Sequence, residues 1–215
     1  MSNYGTLIDG FKVFKATTFE EHKDVVKHLI QLGEKPSTLF ITCSDMRVSP
    51  DIIFSSKPGD FYICRNVAAL VPPHGSDNVN GVLSAIEYAV TGLKVDTIVV
   101  LGHANCDGVK LLMDSEVSED NEKVRHSEAM QDWLSIAARA KDIVMNSLHD
   151  KSQEEKEHAC QQETVLLSLN NLLTYDFIKE RVEDDSLKLY GWHFDIVQGQ
   201  LLGFDPETKF FDPIA

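Results

Sequence analysis

Three short runs of β-branched and aromatic residues constrain this chain most: "STLFIT" at 37–42, "FYICRNV" at 61–67 and "DTIVVLGH" at 96–103. Each has the length of one strand, and the first and third are apolar enough to be buried on both sheet faces. Helix-sized patterns separate them. "SPDIIFS" opens with Ser49 and Pro50, suited to an N-cap and a first helical position. "NGVLSAIEYAVTGL" carries apolar residues at 82, 83, 86, 89, 90 and 93, with Gly92 near its end. Strands alternating with helices imply parallel pairing through right-handed crossovers. Such sheets bind ligands at the carboxyl ends of their strands, where Cys43 and His103 both stand.

The flanking sequence extends this reading. Thr18 and Glu21 match a capping box before "HKDVVKHLIQLG", a helix that stops at Gly33. Pro58-Gly59 marks a turn, and "PPHGSDN" reads as loop. "DSEVSEDNEK", at 114–123, has many acids and few apolar anchors, which predicts a solvated loop. Residues 128–148 and 154–173 show helical spacing. "SLKLYGWHFDIVQGQLLGFDP" then reads as a strand or a hairpin turning at Gln198-Gly199. The expected fold is α/β: a central, mostly parallel sheet of about four strands plus an edge strand, flanked by helices, with N-terminal helices and a C-terminal strand or hairpin. At 215 residues and 43% hydrophobic content, one domain spanning 1–215 is expected.

Composition narrows the function. A net charge of −14 and a pI near 4.9 oppose the phosphate-neutralising surface that nucleic-acid binding needs. "MSNYGTLIDGFKVFK" has no unbroken apolar leader core, and no stretch approaches the roughly 20 apolar residues of a membrane span. A cytoplasmic protein with neither nucleic-acid nor membrane partners is expected. Four cysteines, Cys43, Cys64, Cys106 and Cys160, are too sparse for a disulfide framework, so metal binding, catalysis and burial stay open.

Cys43 ends an apolar run and is followed by Asp45 and Arg47. His103-x-x-Cys106 follows a strand and opens a helix, a tight loop able to aim an imidazole nitrogen and a sulfur at one point. With Cys43 it supplies three zinc-ligand types, and three protein ligands with a replaceable fourth is the catalytic zinc pattern. Asp45, beside Arg47, is either an ionised acceptor that orients a zinc-bound water, the fourth ligand, or half of a structural ion pair. A cysteine-nucleophile phosphatase needs arginine six positions after its cysteine. Position 49 is Ser, and Arg47 comes two residues too early. Cys64 and Cys160 read as small packing residues.

"TLFITCSDMRVSP", "PGDFYICRNVAALVPP", "GVLSAIEYAV" and "TIVVLGHANCDGVK" resemble the beta class of carbonic anhydrases, whose signatures run C-S-D-S-R and G-H-S-x-C-G-G. The likeness extends from "LIDGFKVFK" to "GWHFDIVQGQLLGFD", nearly the whole chain. It implies one zinc ion per subunit, held by Cys43, His103 and Cys106, with Asp45 and Arg47 as the adjoining catalytic dyad. It implies reversible hydration of carbon dioxide to bicarbonate and a proton by attack of zinc-bound hydroxide. It also implies a carbon dioxide pocket that includes Tyr62, Val67 and Tyr88, with Tyr62 standing where the family has Phe. Family members assemble as dimers or multiples of dimers, which implies a helical arm at 1–35 used in dimerisation. Phe40 and Thr42 occupy the positions of a regulatory Trp-x-Gly, so the chain is similar to the plant-like branch, also found in bacteria, that lacks this control.

Four residues depart from the family pattern. Met46 replaces Ser, Asp107 replaces the first Gly after the second cysteine ligand, Ala69 replaces Asn, and Glu34 stands where plant-like members have Gln. Glu34 and Asp107 add negative charge to the expected pocket and imply a weakened or pH-shifted catalyst. Two alternatives stand beside carbon dioxide hydration: a hydrolase of carbon disulfide or carbonyl sulfide on the same scaffold, and a non-catalytic zinc-binding homologue in which Asp45 closes a structural site.

Overall fold

The three apolar runs form strands in the computed structural model, which describes residues 3–33, 35–76, 81–115 and 118–215. They are Thr38–Cys43 (β1), Phe61–Asn66 (β2) and Thr97–His103 (β3). Lys188–Asp195 (β4), Gln200–Phe204 (β5) and Phe211–Pro213 (β6) complete a six-stranded sheet among the described residues, in the order β2-β1-β3-β4-β5-β6. The first four are mutually parallel, and β5 and β6 add antiparallel at one edge. The expected hairpin is β4–β5, and Gly199 supplies a φ of 67° in its turn. The three-residue β6 carries no periodicity from which it could have been expected.

Both faces of β1 and β3 are buried. Leu39, Ile41, Ile98 and Val100 pack on one face with Val165 and Leu172 of the long helix Gln153–Leu172. Phe40, Val99 and Leu101 face the other side, toward Phe54, Phe61 and Trp192. The register sets Cys43 opposite Asn66, and His103 opposite Phe194. Because β1 and β3 are adjacent and parallel, Cys43 and His103 emerge side by side at one end of the sheet.

The helices are Asn3–Ala16 (α1), Thr18–Leu32 (α2), Pro50–Ile53 (α3), Gly81–Glu87 (α4, prolonged by a wider turn over Tyr88–Leu93) and Asp107–Leu112 (α5). Glu119–Arg125 (α6), Glu128–Ser135 (α7), Ala138–Ser147 (α8), Gln153–Leu172 (α9) and Asp176–Glu183 (α10) follow.

Three expectations change. Thr18 lies inside α2; the capping position is Thr17, whose hydroxyl donates to the Val13 carbonyl at 2.8 Å and so closes α1 instead. The capping box that does form is Ser152–Glu155, at the start of α9. The acidic stretch expected to be loop contains α6: Ser118 accepts from the Asn121 N–H, with acids in the first turn and Lys123 and Arg125 in the last, so local charge does what apolar anchoring does elsewhere. The segment at 128–148 breaks at 136–137 into α7 and α8.

The arm α1–α2 has no buried residue, and Tyr4, Leu7, Phe11, Ile30 and Leu32 are all largely exposed. No helix of the described residues is long and apolar enough to cross a membrane.

Candidate metal centre

β1 delivers Cys43, β3 delivers His103, and the loop into α5 delivers Cys106. Their ligand atoms lie within 4.8 Å of one another, with Cys43 5% exposed and the other two 2%. The two sulfurs are 3.9 Å apart. His103 Nδ1 lies 2.8 Å from the Ala104 carbonyl, which can only accept, so Nδ1 carries the proton and Nε2 keeps its lone pair. Nε2 is buried and has no hydrogen-bond partner. A buried acceptor without a partner is costly, and a cation among these three atoms removes that cost. Two sulfurs and one imidazole nitrogen are also the donor set that zinc favours, so the residues fit the ion.

The electrostatics agree. The Cys106 thiol, hydrogen-bonded to Cys43, pulls the Cys43 thiol below its ordinary range. The same bond, together with burial, pushes Cys106 up. One thiolate therefore forms readily at Cys43, and metal binding displaces the second proton.

Asp45 and Arg47 occupy the turn after β1. The Arg47 Nε and backbone N–H donate to Asp45 Oδ1, both at 2.9 Å, and Arg47 Nη2 donates to Oδ2 at 2.5 Å. Nη2 also reaches the Asn105 carbonyl at 3.0 Å, tying this turn to the Cys106 loop. These bonds from Arg47 hold the Asp45 carboxyl down at about 2. Asp45 Oδ2 lies 3.9 Å from His103 Nε2.

A cavity of about 500 Å³ opens over this group, lined by Cys43, Ser44, Asp45, Met46, Arg47, Val67, Asp107 and Gly108. Val67, Asp107 and Met46 thus line one cavity with Cys43, and Met46 is 90% exposed. Asp107 is exposed and acts electrostatically on Arg47. Tyr62 lines a separate apolar cavity of about 280 Å³ between α2 and the sheet edge, with its ring 6.0 Å from that of Tyr88. Ala69 is buried at a φ of 55°, in a left-handed turn where Asn is better tolerated than Ala. Glu34 lies outside the described residues. Cys64 and Cys160 are buried in the core, burial pushing Cys64 up and Cys160 up to about 12.

Two residues were missed. Arg65 donates from Nε to the Cys43 carbonyl at 2.9 Å and from Nη2 to the Asp45 carbonyl at 2.6 Å. Its signal was a lone charge inside the apolar run "FYICRNV". Gly108 packs so closely on Val67 and Ala68 that a Cβ would stand 2.7 Å from Val67 Cγ1. Its signal was its place directly after the ligand motif.

A family model described as "Carbonic anhydrase" matches residues 38–201. The chain is 37% identical over 190 residues to "Beta carbonic anhydrase 3" of Arabidopsis thaliana, covering 88% of this chain and 72% of that protein. It is 33% identical to a "Carbonic anhydrase" of Synechocystis, covering 93% and 70%. The solved structure of the beta-carbonic anhydrase CcaA superposes with a TM-score of 0.91 at 32% identity, covering 99% of this chain and all of that one. A tetrameric beta-carbonic anhydrase of Sordaria macrospora shares the fold, with a TM-score of 0.79 at 24% identity, covering 93% and 95%.

Proposed function

The chain belongs to the beta class of the carbonic anhydrases, and from that premise we propose that Cys43, His103 and Cys106 hold one zinc ion per subunit for the reversible hydration of carbon dioxide to bicarbonate. One observation carries the reading: a buried, unpartnered imidazole nitrogen converges with two buried sulfurs, while its ring partner nitrogen is committed to a carbonyl. When bound, zinc supplies the Lewis acidity that lowers the pKa of a water to about 7.

The chain's own residues do the rest. Asp45, kept ionised by Arg47, acts as a fixed acceptor whose Oδ2 orients the proton of the attacking water, so that an oxygen lone pair faces the carbon of the substrate. With its pKa held near 2, Asp45 cannot store a proton at neutral pH, so the released proton leaves by another acceptor. Val67 gives the cavity an apolar side suited to an uncharged substrate. Asp107 places a negative charge in the same lining, which opposes bicarbonate.

Tyr62 and Tyr88 complete the substrate wall in our reading when a second copy of the chain covers their side, Tyr88 being half exposed in the single subunit. The apolar arm at 1–35, whose helices α1 and α2 contain no fully buried residue, supports dimerisation of a single domain spanning 1–215. The four free cysteines suit a reducing cytoplasmic compartment, in which thiolate ligands persist.

The deciding experiment combines metal analysis with stopped-flow carbon dioxide hydration, on the parent chain and on Cys43→Ser and His103→Ala. Stoichiometric zinc with turnover, both lost in the variants, is the expected result. Zinc without turnover at any pH would leave a binding homologue instead, and faster turnover of carbonyl sulfide than of carbon dioxide would change the substrate.

A further inference from the structure

We propose that Arg65 is a positioning residue: by clamping the backbone on either side of Ser44, it fixes Cys43 and Asp45 in one mutual geometry. The inference rests on the zinc site proposed above. β1 ends at Cys43, and the Ser44 N–H still bonds to the Asn66 carbonyl of β2 at 2.8 Å before the chain turns away toward α3. Beyond that point the backbone has left the ladder, yet it must present a sulfur from residue 43 and a carboxylate from residue 45 to one centre.

Arg65 lies next to Asn66 on β2, in register with Thr42. Its guanidinium fork spans the two peptide units concerned, Nε on the Cys43 carbonyl at 2.9 Å and Nη2 on the Asp45 carbonyl at 2.6 Å. Both are charge-assisted bonds in the planar two-point geometry that arginine provides and lysine does not. Asp45 is therefore held by two guanidinium groups, Arg47 on its carboxylate and Arg65 on its backbone. Arg65 touches neither a ligand atom nor the Asp45 carboxylate, so its effect on chemistry runs through the residues it holds.

A merely structural tether would cost stability and nothing more, and the chain contains a comparison for that case. Arg181 also spans backbone carbonyls, those of Val90 at 3.1 Å and Ser186 at 2.8 Å, in a part of the fold remote from the ligands. The test compares full-length Arg65→Met, Arg65→Lys and Arg181→Met with the parent, reading zinc affinity by competition with a chelator, kcat and KM separately, and melting temperature.

Arg65→Met is expected to weaken zinc affinity about 10- to 100-fold, the range for residues that orient metal ligands. Its kcat falls more than its KM changes, and Arg65→Lys recovers part of both losses. Arg181→Met lowers the melting temperature and leaves zinc affinity and kcat at parental values. The clamp is overturned if Arg65→Met matches the parent in zinc affinity and kcat, or if Arg181→Met reproduces its losses. Should Arg65→Met not fold, Arg65→Lys decides: parental zinc affinity and kcat in that variant overturn the clamp, and a partial loss of both supports it. A parent chain that takes up no zinc overturns the metal reading itself, whereas a parent that binds zinc alongside an Arg65→Met of equal affinity overturns the clamp alone.

Discussion

The Asp45 carboxylate stands 3.9 Å from His103 Nε2 while two nitrogens of Arg47 bond to it, so one ionised acid faces the candidate metal centre from a fixed position. Asp45→Asn keeps the shape and removes the charge. Hydration should fall about 10- to 100-fold, as for other residues that orient the chemistry at a metal. Because Arg47 holds the Asp45 pKa down at about 2, the carboxylate is already ionised throughout pH 5 to 9. Asp45 itself therefore adds no step to the pH–rate curve, while loss of its negative charge should move the rate-controlling pKa downward. Its stabilising contribution is present above the unfolded pKa near 4 and is lost only as pH falls through about 2. A variant rate equal to the parent's across that range in stopped-flow measurements would contradict this role.

Gly108 allows α5 to begin directly against the Val67–Ala69 turn. A Cβ there would meet Val67 Cγ1 at 2.7 Å and the Ala68 Cβ at 3.1 Å. Gly108→Ala should cost about 1–3 kcal/mol in urea unfolding, the usual range for overpacking. Since both residues adjoin the ligand loop and line the cavity, zinc retention should fall with it. Unchanged stability would mean that Val67 moves aside freely.

His193 is fully buried on β4, and neither ring nitrogen has a hydrogen-bond partner. Its ring meets that of His158 edge-on, with centroids 5.4 Å apart. Burial, assisted by His158, pulls its pKa from 6.5 down to about 4. The unfolded chain therefore binds the proton first, and stability should decline as pH drops from about 6.5 toward 4. The shift corresponds to a loss on the order of 3 kcal/mol. His193→Leu should flatten that part of the curve in urea titrations at a series of pH values. Identical slopes in variant and parent would assign the acid sensitivity elsewhere.

The ligand set was readable because its parts combine two independent signals, apolar runs that must be strands and metal-binding residue types where those runs end. Cys43 and His103 met both conditions, and β3 opposite β1 brought them together. Arg65 met neither, since a hydrogen bond from a side chain to a backbone carbonyl leaves no periodic trace. The helix α6 escaped for a related reason: its stability comes from Ser118 and from charges matched to its ends, not from an apolar face. Thr18 misled because the capping pattern describes a choice among neighbours, and Thr17 was already engaged with the preceding helix. Tyr62 and Tyr88 do not line the cavity beside the ligands, so the single chain leaves their expected place in a substrate pocket without a counterpart.

The N-terminal arm tests that last point. With Tyr4, Leu7, Phe11 and Ile30 exposed and no residue of either helix buried, its apolar surface is far larger than isolated surface residues explain. Deleting residues 1–32 should convert a dimer or larger assembly to monomers in sedimentation experiments. An unchanged assembly would place the interface elsewhere.

Asp107 tests how the departures from the family pattern act. Two thiolates neutralise a zinc ion, and Arg47 neutralises Asp45, so the exposed Asp107 carboxylate adds a further negative charge to the lining of the cavity. Asp107 also acts on Arg47, which is bonded to the Asp45 carboxylate. At roughly 6 Å in a solvent-like dielectric, one unit charge shifts an anion's energy by about 0.7 kcal/mol, or about threefold in binding. Asp107→Asn should accordingly lower the KM for bicarbonate about threefold in the dehydration direction and leave the KM for uncharged carbon dioxide nearly unchanged. The difference between variant and parent should shrink as salt is added, since an exposed charge is screened over about 10 Å at 0.1 M. Equal effects on both substrates, or an effect that persists in salt, would show that residue 107 acts through the shape of the loop and not through its charge.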